Sequence, residues 1–177
     1  MLLSHFGVEI DQEKIIEASG IKSKIKEWGM TVSEMAVALR VVVPGMVIWS
    51  KTDSRISELQ EIVRRENYPV GINWQGIFDD FEDDYEDEDE DEDEGHYSMA
   101  IDVDTVGNRI RIVDPYGHYI NKDREFSIVK FEKRWWDEDW EIDLKTKKKV
   151  KVYHNRQMFI ILPESVTFAA DLGMKRW

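Results

Sequence analysis

The sequence has no cysteine among its 177 residues. That excludes disulfides and thiolate metal sites, and it excludes thiol catalysis by this chain. No apolar run approaches the roughly 20 residues of a membrane-spanning helix. The opening MLLSHFGVEI has no basic segment before its apolar residues and no small-residue cleavage site, so it does not read as a signal peptide. The expectation is a cytoplasmic protein without a membrane span. No internal repeat is visible.

Basic residues are missing from one segment altogether. Residues 78–95, FDDFEDDYEDEDEDEDEG, hold 14 of the 37 acidic residues and no Lys or Arg. The formal charge of −13 therefore belongs to this segment, and the rest of the chain has 23 acids against 24 bases. With no basic face and a run that repels phosphates, nucleic acid is not an expected partner. The run reads as a disordered, self-repelling inserted loop. It could hold a basic peptide or keep substrates away. The spacing and central Gly of a calcium-binding EF-hand are absent, so no metal site is assigned. Nothing in the chain calls for a cofactor.

What is present is the material of a folded core. Hydrophobic residues make up 42%, with seven Trp, seven Phe and six Tyr. At this length that suits one domain over residues 1–177. Met1 to Phe6 reads as the tail of a helix closed by Gly7, and Asp11 caps a short helix that ends before Gly20. TVSEMAVALR, residues 31–40, reads as a helix capped by Thr31 or Ser33, with Met35, Ala36 and Leu39 inward. Residues 54–66 read as an amphipathic helix with Ile56, Leu59, Ile62 and Val63 on one face. Strands are expected at residues 47–49, 69–74, 96–103 and 109–113, the last two joined by DTVGN. Residues 127–136 read as a helix with Phe131 and Trp135 inward. Residues 149–153 and 157–162 read as a hairpin turning at His154-Asn155. The segment 137–177 is thus expected to add a hairpin and a terminal helix. Helices first and strands second point to an α+β fold, with N-terminal helices packed on a C-terminal antiparallel sheet.

The ordered set HFG (residues 5–7), PVGINW (69–74), GHYSMAID (95–102), Asp114-Pro115 and Phe131-x-x-x-Trp135 resembles the bacteriocin-processing, double-glycine-leader cysteine peptidases, in free-standing form. The resemblance covers residues 1–136 and implies a papain-like fold. It implies that His96 and Asp114 correspond to the catalytic His and Asp, acting on a peptide or protein substrate. The family's Gln and Cys would stand before Met1, and the acidic run is inserted where the family has a short loop. A peptidase of this kind needs a thiolate that attacks, a His that protonates the leaving amine and an Asp that orients the His. Only the last two are here, and Ser4 lies too late in its helix to replace the Cys. The expectation is a protein inactive as it stands: either a peptidase with a truncated start or a pseudo-peptidase that binds peptide or protein without cutting it. An interaction protein unrelated to peptidases is the third reading. The oligomeric state is not legible.

The bland readings run beside these. His96 could cap a strand after a loop, and Asp114 could start an Asp-Pro turn. His118 reads as a surface residue, His5 as a helix-end residue and His154 as a turn residue. The lysines of TKKKVK, residues 146–151, read as edge-strand protection. Trp135, Trp136 and Trp140 read as core and surface anchors. Pairing Ile101 with Ile110 and Met99 with Ile112 gives the tidiest apolar face but sets Asp114 opposite Tyr97. A bulge or a one-residue shift is required to bring His96 and Asp114 onto one face.

Overall fold

A computed structural model describes residues 1–23, 25, 29–76, 95–119, 122–142, 146 and 148–177. The acidic run up to residue 94, expected to be a disordered loop, lies outside the described residues.

Short polar signals punctuate the N-terminal part. Leu3–Phe6 forms a 3-10 turn closed by Gly7 at φ 69°. Asp11 caps α1 (Gln12–Ser19) by accepting the Glu13 N–H at 3.0 Å. Thr31 caps α2 (Val32–Val42) in a full capping box with Glu34. Ala36 and Leu39 of α2 are buried as expected, with Val32 and Ala38 beside them. β1 (Met46–Lys51) follows, then α3 (Ile56–Gln60), which widens into a π-helical turn over Glu61–Arg65. Glu58 anchors the start of α3. Its carboxylate accepts from Lys51 Nζ at 2.7 Å and from the Arg55 N–H at 2.8 Å.

β2 (Val70–Gln75), β3 (Gly95–Asp104), β4 (Arg109–Val113) and β5 (Asp123–Ser127) run antiparallel to their neighbours. Ser127 then caps α4 (Ile128–Arg134). The helix expected over 127–136 is thus shortened at both ends, because Trp136 already opens β6 (Trp136–Ile142). Phe131 and Trp135 do point inward, at 1% and 0% exposure. Burying one such ring stabilises the fold by up to about 3 kcal/mol.

The C-terminal pairing corrects the sequence reading. β7 (Lys149–Asn155) pairs with β6 in a separate two-stranded ribbon, not with β8 (Met158–Pro163). β8 enters the main sheet between β2 and β1. The physical reason is burial. MFIIL is apolar on both faces and suits a central strand, whereas KVKVYHN alternates and has only one face to cover. The expected terminal helix is a single turn, α5 (Phe168–Asp171), and the chain then returns to the sheet as β9 (Lys175–Arg176).

The seven-stranded sheet has the order β5-β4-β3-β2-β8-β1-β9. One face packs Trp49, Leu59, Ile62, Ile72, Trp74, Ile112, Phe131 and Ile160 beneath α3 and α4. The other packs Ile48 and Phe159 against Leu3 and α2. The fold is α+β with a large antiparallel sheet, and helices cover both faces. The N-terminal strand β1 sits inside the sheet, so the expected division into helices first and sheet second is not kept.

Candidate functional site

β3 opens beside the end of β2, with Gly95 opposite Gln75 and His96 opposite Trp74. β4 delivers Asp114 one residue past its last strand position. The register between β3 and β4 decides whether the two meet. Met99 faces Val113 and Ala100 faces Ile112, then the register slips by one, and Asp102 faces Arg111 and Val103 faces Ile110. The expected pairing of Ile101 with Ile110 is therefore corrected. Ala100 and Val103, both fully buried, take the core face. Met99 and Ile101 turn to the opposite face, where they border a depression with Met1, Ser4 and Tyr68. Continuing the local register sets Asp114 beside Ser98, with His96 the same-face diagonal neighbour.

The contact is direct. His96 Nε2 lies 2.7 Å from Asp114 Oδ1. The same oxygen accepts the Tyr116 N–H at 2.9 Å, and Arg124 Nη1 donates to Oδ2 at 2.8 Å. The Asp114 side chain is fully buried, while that of His96 keeps 18% exposure. Burial pushes the Asp114 carboxyl up, but the hydrogen bonds from His96, the Tyr116 amide and Arg124 outweigh it, and it sits below the usual carboxylate value. Arg124 is itself held, its guanidinium 3.6 Å over the Tyr119 ring and 5.0 Å from Phe126. A fixed anion thus engages one ring nitrogen of His96 and orients the imidazole.

His96 borders a cleft of about 620 Å³. Tyr97 and Pro115 lie on its side, Gly29 and Met30 come from the loop before α2, and β6 supplies Asp137 to Trp140. Gly95 allows β6 to come this close. A Cβ there would sit 2.0 Å from Asp137 Oδ1, which Gln75 Nε2 approaches at 3.3 Å. Glu138 pairs with Lys151. His154, read from sequence as a turn residue, lies on β7 with Nε2 3.3 Å from Asp139 Oδ2. The contact is an ion pair only when His154 is protonated.

Among the described residues, no Ser, Thr or Lys side chain lines the cleft beside His96. Tyr97 carries the one hydroxyl among the described residues lining the cleft. Ser4 donates to Met1 O and borders the separate depression beside Met99. The site can orient an imidazole and hold or pass a proton; acyl transfer needs a nucleophile that these residues do not supply. Among the described residues no group of three or more His, Cys, Asp or Glu could hold a metal ion. No helix among them is long and apolar enough to cross a membrane.

Two site residues escaped the sequence reading. Arg124 reaches Asp114 because Arg124 pairs with Ile112 across β4 and β5, and only that register reveals it. Asp139 and His154 meet through the β6–β7 ribbon, whose pairing was read differently. The side chain of His118 lies outside the described residues. What the geometry defines is an α+β protein with a buried Asp114 clamped between His96 and Arg124 at the edge of a cleft. No family model, curated protein or solved structure matches the chain.

Proposed function

We propose that this chain is a papain-like relative of the bacteriocin-processing, double-glycine cysteine peptidases that keeps the His–Asp half of the site and binds a peptide or protein segment in the cytoplasm without cutting it. The observation that carries the reading is the His96–Asp114 contact of 2.7 Å, with the Asp114 carboxylate buried and held by Arg124 and the Tyr116 N–H, at the edge of a cleft large enough for several side chains. An arrangement so fully satisfied orients one imidazole, which is what a peptidase asks of its Asp. The absence of cysteine removes the cutting step from this chain.

The test is selection of a random peptide library on the purified 177-residue protein. Selected peptides should bind the wild type and lose affinity for Trp140→Ala and His96→Ala, both in the cleft, but not for Val129→Ala on exposed α4 surface. Failure to enrich any peptide, or binding indifferent to both cleft variants, would overturn the reading. Peptide cleavage abolished by His96→Ala would convert it to an active enzyme. The same orientation of His96 also favours a second reading, a peptidase whose Gln and Cys lie upstream of Met1. The intact mass of the protein from its own cells decides between the two.

A further inference from the structure

Asp139 borders a second pocket, of about 400 Å³, formed between the start of α2, the end of β1, the β6–β7 ribbon, Gln157 and the C-terminal residues. Its lining is rich in donors. The first turn of α2 opens into it, and helix N–H groups at that position have no partner within the helix. Glu34 N–H is taken by Thr31 Oγ1 and Met35 N–H by Thr31 O. The N–H groups of Val32 and Ser33 have no acceptor among the described residues. The second observation is independent of the helix. Gln157 is only 7% exposed and lines the same pocket. Its Oε1 accepts Asn73 Nδ2 at 3.1 Å, and its backbone carbonyl accepts from Asn73 and Trp135. Its own amide NH2 has no acceptor among the described residues and is open to the pocket that the residue lines.

Two more groups converge. The Ser50 hydroxyl, 7% exposed, accepts the Trp177 indole N–H at 2.7 Å and keeps its own proton to donate. Lys175 places Nζ 3.6 Å over the Trp177 ring at the pocket wall. The other lysine, Lys51, is already engaged by Glu58 and the Leu172 carbonyl. The one carboxylate in the lining, Asp139, faces His154. A helix N-terminus, an amide, a hydroxyl and an ammonium together favour a negative acceptor. The volume suits a small molecule, not a chain.

We propose that this pocket binds a small oxyanion, the carboxylate or phosphate group of a small molecule, on the Val32 and Ser33 amides, the Gln157 side-chain amide and the Ser50 hydroxyl. This pocket adjoins the peptide cleft at Asp139, but none of the four proposed ligating groups lines that cleft, and the proposal does not depend on it.

The experiment is a titration of the isotope-labelled full chain in Tris chloride, once with inorganic phosphate and once with acetate, followed by amide NMR. At least one anion should give saturable shifts at the Val32 and Ser33 amides, the Gln157 side-chain NH2 and the Trp177 indole. Which one does so identifies the headgroup class. Gln157→Glu keeps an oxygen towards Asn73 and replaces the donor with a charge, so affinity should fall at least about tenfold. If that variant does not fold, Lys175→Glu on the exposed β9 should give the same loss. The proposal is overturned if neither anion produces saturable shifts there, or if the folded variant binds like the wild type.

Discussion

Asp114 concentrates much of the chemistry of this protein in one carboxylate. Its two oxygens satisfy His96, the Tyr116 N–H and Arg124, and no part of the side chain meets solvent. Asp114→Asn should therefore cost more than a lost hydrogen bond, because it leaves the Arg124 guanidinium buried without its counter-charge. A loss of about 3 kcal/mol is expected, read as a fall in melting temperature of about 6–12 °C for a chain of this size. The same residue sets the acid limit. Asp114 and Glu58 both have carboxyls held below their ordinary values, in each case by hydrogen bonds that outweigh burial. A depressed carboxyl means the unfolded chain binds more protons than the folded one, so stability rises with pH across that window. The contribution is complete above the unfolded values of about 4 and is lost as pH falls through the lower, folded ones. Urea midpoints should thus be flat near neutrality and fall steeply below about pH 4, with a shallower fall in Asp114→Asn. An acid limb identical in the variant would assign the dependence to other groups. His96 and Asp114 were singled out through the ordered motifs and the family they resemble, and the two side chains do meet, at 2.7 Å. Arg124 was not legible, since DREFS gives no hint that its second residue lies diagonal to Asp114 across a strand pair.

Strands tell a similar story one level up. The individual elements were readable where periodicity was strong: α1 with its Asp11 cap, α2 with Thr31, α3 with Ile56, Leu59, Ile62 and Val63 facing the core. Pairing was not readable, because periodicity fixes a face but not a neighbour. The alternation WDEDWEI was the missed strand, and without it β7 had no partner other than β8. Sheet packing also depends on Gly71, which stands opposite Phe159 between β2 and β8. A Cβ there would lie 2.3 Å from Cζ of that ring and 2.6 Å from its neighbours. Phe159 is 4% exposed and is packed edge-on against Tyr97 at 5.6 Å, so it has little space to retreat. Gly71→Ala should destabilise by about 2 kcal/mol or more despite the better strand propensity of alanine. Denaturant melts should show the loss as a lower midpoint at unchanged slope. A neutral or stabilised variant would mean that the ring moves freely and that the β2–β8 contact is loose.

For the whole molecule the open question is how a nearly neutral body carries 14 carboxylates in one run. The ends of that run are fixed by pairing: Gln75 and Gly95 are register partners at the open end of the β2–β3 ladder. Gly76 accepts from Arg134, and Gly95 packs against Asp137. Deleting Asp79 to Glu94 would remove charge that repels itself and shorten a connection whose closure cost grows only with the logarithm of its length. Both effects are small or favourable to the folded state. The melting temperature at physiological salt should therefore stay within about 2 °C of the wild type, no more than about 1 kcal/mol for a chain of this length. At low ionic strength the deletion should melt higher than the wild type, because screening no longer hides the repulsion it has lost. A fall of 10 °C or more on deletion would require the run to make attractive contacts worth several kcal/mol, with a bound cation or with the basic side chains of the body. A chelator titration on the wild type separates those two sources, since only the first would be lost when the cation is withdrawn.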